Sequence, residues 1–207
     1  MADEIEVLPA PPVRNRRHEL AGLGILAANF LRHKIRGYRT PRPAATPDAE
    51  SSYRYARSVA SNWLSHLNRY LRAKPPLEEW DALEIGPGPD LGTGLVLLGE
   101  GLRSYRAIDV HPLLKDSSKE LHRGISERVA AQTGCPQAAL HTELEKFEAG
   151  EEGRLGYVYD PRLRLEDFGE DRFDLFLSHA AFEHLEDVPG TIEGLSALAH
   201  KLSLIHI

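Results

Sequence analysis

From residue 18 to residue 76 the apolar side chains recur at intervals of three and four, whereas beyond residue 80 they gather into short runs. In the first stretch, Leu20, Leu23, Leu26, Phe30, Leu31 and Ile35 predict a helix over 19–36, with Gly37 placed to stop it. Tyr55, Val59, Trp63, Leu67 and Leu71 predict a second helix over 51–74, ended by Pro75 and Pro76. Prolines at 41, 43 and 47 mark a linker between them, and residues 1–17 read as a flexible tail. The later runs predict strands at 82–85, 104–108, 156–159 and 173–178. Between them the pattern predicts a turn into a helix at 91–99 and helices at 117–132 and 191–202. Short apolar strands alternating with helices define an α/β class, a doubly wound parallel sheet covered on both faces. The chain thus divides into a tail (1–17), an N-terminal helical segment (18–76) and a sheet domain (77–207).

Charge sharpens that division. Residues 1–74 carry 13 basic and 6 acidic side chains, and residues 75–207 carry 12 and 25. An acidic body is a poor partner for phosphates, so nucleic acid is not the expected ligand. The early apolar stretch, 20–31, is shorter than the ~20 residues that span a bilayer, and no membrane partner is expected. A single cysteine, Cys135, excludes an intramolecular disulfide framework and fits a reducing, cytoplasmic setting.

Candidate chemistry centres on Leu83-Glu84-Ile85-Gly86-Pro87-Gly88-Pro89-Asp90-Leu91-Gly92. Glycines at the end of a first strand let backbone pass close to a bound cofactor. The spacing is not the dinucleotide fingerprint, because the sixth position from Gly86 is Leu91, and no Gly-Lys-Ser/Thr follows to make a Walker loop. Asp109 ends the next strand, 23 residues beyond Gly86, where a carboxylate can accept from the two hydroxyls of a ribose. Glu84 suits a ligand carrying an amine. Together they point to a nucleoside with a positive charge.

These residues resemble the class I S-adenosylmethionine-dependent methyltransferases of the methyltransferase domain 11 type. Three segments carry the resemblance: Leu83–Gly88, Ala107-Ile108-Asp109, and the run from Asp171 to Asp187, which is similar to the family's fourth strand and the turn after it. The resemblance implies S-adenosylmethionine as cofactor and a small molecule as methyl acceptor. It places Gly86 and Gly88 under the methionine and ribose, with Ile85 and Pro87 in the same cofactor-binding stretch, Glu84 facing the amino group, Asp109 on the ribose hydroxyls, and Val110 or His111 beside the adenine. It further implies that Asp160 accepts from the adenine amine and that Ser178 and His179 floor the transfer site. His184, His179 and Glu183 are the candidate catalytic side chains. No metal is expected, since His179 and His184 lack the i, i+4 register of a zinc helix. Asp90 stands where many members have a third glycine, which lengthens the loop.

The resembled domain has seven strands in the order three-two-one-four-five-seven-six, of which four are readable here. Ser203–Ile207 either begins a fifth strand or marks a truncated end, and a sheet stopping at strand four predicts self-association through its bare edge. A non-catalytic relative that needs a partner chain is the alternative function. RNA methylation, with the basic segment 14–74 as the nucleic-acid arm, is a weaker alternative; methylation of a base amine is disfavoured, because Ser178-His179-Ala180-Ala181 is not the Asn/Asp-Pro-Pro-Tyr/Phe tetrad of that reaction.

Overall fold

The computed structural model describes residues 48–206 apart from 73, 74 and 186, together with eight positions between 20 and 34. Those eight are helical; the other residues of that stretch, the tail at 1–17 and the prolines at 41, 43 and 47 lie outside the described residues. Residues 1–42 and 43–207 form two compact units, so the helix read at 51–74 belongs with the sheet rather than with the segment before it.

The second unit runs α1 (Ala49–Leu71), β1 (Asp81–Ile85), α2 (Gly92–Gly99), β2 (Ser104–Asp109), α3 (Lys119–Thr133), α4 (Gln137–Ala149), β3 (Leu155–Tyr159), β4 (Phe173–Ser178), α5 (Val188–Ala197) and β5 (Ala199–His206). All five strands are parallel, in the order β3-β2-β1-β4-β5. The chain starts at the centre with β1, winds outward to β3, then crosses back to lay β4 and β5 on the other side. That is the Rossmann-like, doubly wound arrangement the sequence predicts, and its order matches the first five strands of the expected seven.

Two elements differ from the expected pattern. The helix read at 191–202 ends at Ala197, and Ala199–His206 forms β5, paired in parallel along β4. Among the described residues the sheet therefore has five strands, the fifth being the alternative offered from Ser203 onward, and β4 is an interior strand. Helix α4 was not marked by the sequence reading at all. Its buried face is only Leu140, Glu143 and Leu144, too narrow to stand out in a polar segment.

Period-two alternation sorts the strands' side chains between two cores. Ala82, Tyr105, Ala107, Leu175 and Leu177 pack under α1–α4 with Trp63, Leu95 and Ile125. Leu83, Ile85, Ile108 and Phe176 pack on the opposite face with Phe182, Leu195 and Leu198. Helix α1 starts at Asp48, whose Oδ1 accepts the Ser51 N–H at 2.9 Å. It buries Tyr53, Ala56, Val59, Ala60, Trp63 and Leu67. The predicted apolar face is rotated by this result: Tyr55 and Leu71 are exposed.

Candidate functional site

In an open parallel sheet ligands bind beyond the carboxyl ends of the strands, where the winding reverses. Here the reversal falls between β1 and β4. Gly86 leaves β1 with φ +73°, a left-handed conformation that favours glycine, and a β-carbon there would overlap that of Ala181. The loop after β1 is thus locked against the turn after β4. Gly88 is also left-handed (φ +82°), but the space beside its α-carbon is open. Asp90 Oδ1 accepts the Gly92 N–H at 2.8 Å and tightens the entry into α2. This is how the loop accommodates an aspartate where the resembled family has glycine.

Alternation puts Glu84 on the same face as Ala82, and Asp109 on the same face as Tyr105 and Ala107. Both carboxylates therefore lie under the helices, with only 2% and 4% of their surface exposed. Glu84 Oε2 accepts the Tyr105 hydroxyl at 2.5 Å. Burial pushes the Glu84 carboxyl up to about 7; the Tyr105 and Thr93 hydroxyls oppose the rise, and the nearby Asp90 and Asp109 charges add to it. Asp109 accepts the His111 N–H at 2.9 Å. Its carboxyl is also raised by burial, against the pull of the backbone amides of His111, Gly88 and Val110. Among the described residues no ion pair involves Glu84, Asp90 or Asp109. Three neighbouring carboxylates, with His111 near Asp109 and His122 near Asp90 but no lysine or arginine ion pair among the described residues, favour a cationic ligand.

The remaining candidates are placed unevenly. Ser178 is buried and donates its hydroxyl to the Ile85 carbonyl at 3.1 Å, tying β4 to β1 beneath the crevice. The Ile85 side chain points into the opposite core, so only its backbone faces the loop. Asp160 accepts from the Arg162 and Arg164 amides (3.1 and 2.8 Å) and from the Arg164 guanidinium (2.9 Å). These bonds hold its carboxyl below the ordinary range, the Arg164 amide first among them, and they commit it to its own turn. His179 is exposed at the end of β4, its ring 6.0 Å from that of Tyr55. Glu183 and His184 pair with each other at 3.5 Å on an exposed turn; no contact joins them to the glycine loop among the described residues.

Tyr55 and Tyr105 are the residues that the sequence alone misses. Tyr55 projects from α1 toward the loop, and burial followed by the Glu84 and Asp90 charges raises its phenol. A cavity of about 440 Å³ opens at the other end of the sheet, lined by Asp81, Ser104, Arg106, Arg172, Phe173 and His200. It lies at the amino ends of β1, β2, β4 and β5, away from the crevice where the winding reverses. Among the described residues no group of three or more His, Cys, Asp or Glu is disposed to hold a metal ion, and no helix is long and apolar enough to cross a membrane.

No protein-family model matches the sequence, and a search of curated proteins found no relative. Solved structures that align with the chain include PKMT2 from Rickettsia typhi in complex with AdoHcy (17% identity, TM-score 0.36, over 63% of this chain and 21% of that one). YjhP from E. coli aligns at 15% identity and TM-score 0.35, over 81% of this chain and 50% of that one. The SAH-bound Podospora anserina methyltransferase PaMTH1 aligns at 13% identity and TM-score 0.39, over 95% and 71%. This chain spans about a fifth and a half of the first two. Likenesses this distant assign neither a family nor an activity. What the coordinates define is the class: a parallel, doubly wound α/β sheet with a glycine loop and two buried carboxylates at its winding reversal.

Proposed function

We propose that the chain binds S-adenosylmethionine at the carboxyl ends of β1 and β2 and transfers its methyl group to a small-molecule acceptor. The observation that carries this reading is the pair of buried carboxylates, Glu84 and Asp109, at the ends of neighbouring strands beside a glycine loop with open space at Gly88. A ligand with a ribose and an ammonium or sulfonium group satisfies all three features. Glu84 would face the ammonium, Asp109 the ribose hydroxyls, and Val110 and His111 the adenine. Asp160 would reach the adenine amine only through a lone pair not used within its own turn.

When bound, this cofactor supplies an activated methyl group that departs by in-line displacement. The protein's share is alignment and exclusion of water. Gly86 and Gly88 let the backbone approach, Ser178 fixes β4 against β1, and Tyr55 with His179 walls the mouth. An acid–base group is needed only for an acceptor that must lose a proton, and His179 is the candidate histidine at the mouth. The exposed Glu183–His184 pair favours a second reading, a cofactor-binding relative whose acceptor site is completed by another chain.

Calorimetric titration with S-adenosylhomocysteine tests the site. Asp109→Ala removes charge-assisted hydrogen bonds worth about 1.5–3 kcal/mol each, so affinity is expected to fall tenfold or more. Equal affinity in the wild type and the variant would exclude the ribose role.

A further inference from the structure

Glu84 cannot serve a ligand's ammonium group unless its carboxylate is ionised and turned toward the loop, and burial works against both. The structure shows one group that opposes burial directly. Tyr105 stands two residues before Ala107, the register partner of Glu84, and on the same face of the sheet. Its ring is fully buried. Its hydroxyl ends 2.5 Å from Glu84 Oε2. The ring can stand upright only because α2 carries Gly94 above it, where any β-carbon would overlap the ring.

We propose that Tyr105 is a positioning residue of this site: seated against Gly94, its hydroxyl orients Glu84 and keeps it available as an anion for the ammonium end of the ligand. The inference rests on the reading of the crevice as a nucleoside–amino acid site and deepens it. The groups facing Glu84 are few. Tyr105 and Asp109 come from β2, Thr93 from α2 and Asp90 from the loop, and the Tyr55 phenol of α1 lies within reach of its charge. Only the two hydroxyls of Tyr105 and Thr93 favour the ionised form; the two aspartates disfavour it. Without the tyrosine hydroxyl, the balance moves toward the neutral acid and an ammonium group loses its counter-charge.

The test is a set of titrations at about pH 6, 7 and 8.5, spanning the range in which Glu84 ionises. One probe is S-adenosylhomocysteine, which carries the amino-acid end. The other is methylthioadenosine, which has the nucleoside but neither ammonium nor carboxylate. In the wild type, affinity for the first probe should rise with pH, while that for the second stays level. Tyr105→Phe should weaken the first probe roughly tenfold at neutral pH, move its rise to higher pH, and leave methylthioadenosine unchanged. Glu84→Gln should bind the first probe weakly at every pH, and it carries the test if the phenylalanine variant folds poorly. An unchanged pH dependence in Tyr105→Phe would overturn the role of the hydroxyl. A wild-type dependence in Glu84→Gln would overturn that of the carboxylate. Failure of both probes to bind the wild type would overturn the nucleoside reading, a different result from selective loss of one probe.

Discussion

Replacement of Trp63 by alanine is expected to destabilise the protein by about 3–5 kcal/mol, the range for deleting a buried tryptophan. The indole is 2% exposed and belongs to the core that joins α1 to the helices over β1 and β2. On the same stripe it is flanked by Ala60, Val59 and Leu67, all buried in the same core. Whole-domain stability is about 5–15 kcal/mol, so a loss of this size takes a large share of it. Urea unfolding should show a lower midpoint with an unchanged slope. A shift worth less than about 1 kcal/mol would mean that α1 contributes little to holding the domain together.

The second large effect concerns Glu84 and depends on pH. In the folded protein its carboxyl is raised from 4.5 to about 7. Between those values the native state keeps a proton that the unfolded chain has released, so stability falls as pH rises through the window. Above about pH 7 the deficit is complete, on the order of 3 kcal/mol at 1.36 kcal/mol per pH unit. Glu84→Gln removes the titration. The ligand-free variant should match the wild type at about pH 4 and exceed its melting temperature by roughly 6–12 °C at about pH 8, taking 2–4 °C per kcal/mol for a chain of this size. A difference between the two proteins that does not change with pH would show that Glu84 is not the group titrating. A gain in stability in Glu84→Gln that grows with pH, combined with the expected loss of affinity, would mark Glu84 as a residue kept for binding at the expense of stability.

Strands β1, β2 and β4 are legible in the sequence because both their faces are largely buried, which gathers apolar residues into short groups such as Ala82-Leu83, Ala107-Ile108 and Leu175-Phe176-Leu177. The glycine loop, Glu84 and Asp109 are legible for a related reason: each sits at a strand end, a few residues from a sharp change of pattern. Strand β5 is legible only toward its end, as the possible strand from 203, because Leu195, Leu198 and Leu202 carry a helical interval across the turn at Leu198 and into the strand. Tyr55 was misassigned by the same kind of coincidence, four residues from Val59 on an apparent apolar stripe. The true stripe is marked by small residues, Ala56 and Ala60, that permit close approach; a β-carbon on Gly92 would press on Ala56. Tyr105 and Glu84 meet only through the sheet register, and a buried tyrosine in a strand gives no sign of what its hydroxyl touches. Asp160 also sits at a strand end, and its bonds to the Arg162 and Arg164 amides and to the Arg164 guanidinium become visible only in three dimensions.

The pairing of β1 with neighbours on both sides also sets the order in which the crevice can be assembled. Its bonds to β2 join residues some 23 apart, whereas the Ser178–Ile85 bond spans 93. Closing the longer loop carries the greater entropic cost, and during synthesis it must wait until β4 has emerged. Until then Leu83, Ile85 and Ile108 have no Phe176 to cover them, and Gly86 has no Ala181 to rest against. A nascent chain can therefore complete the half that would grip a ribose well before the half that would receive an acceptor. The interval between the two is the period in which it is most exposed to aggregation.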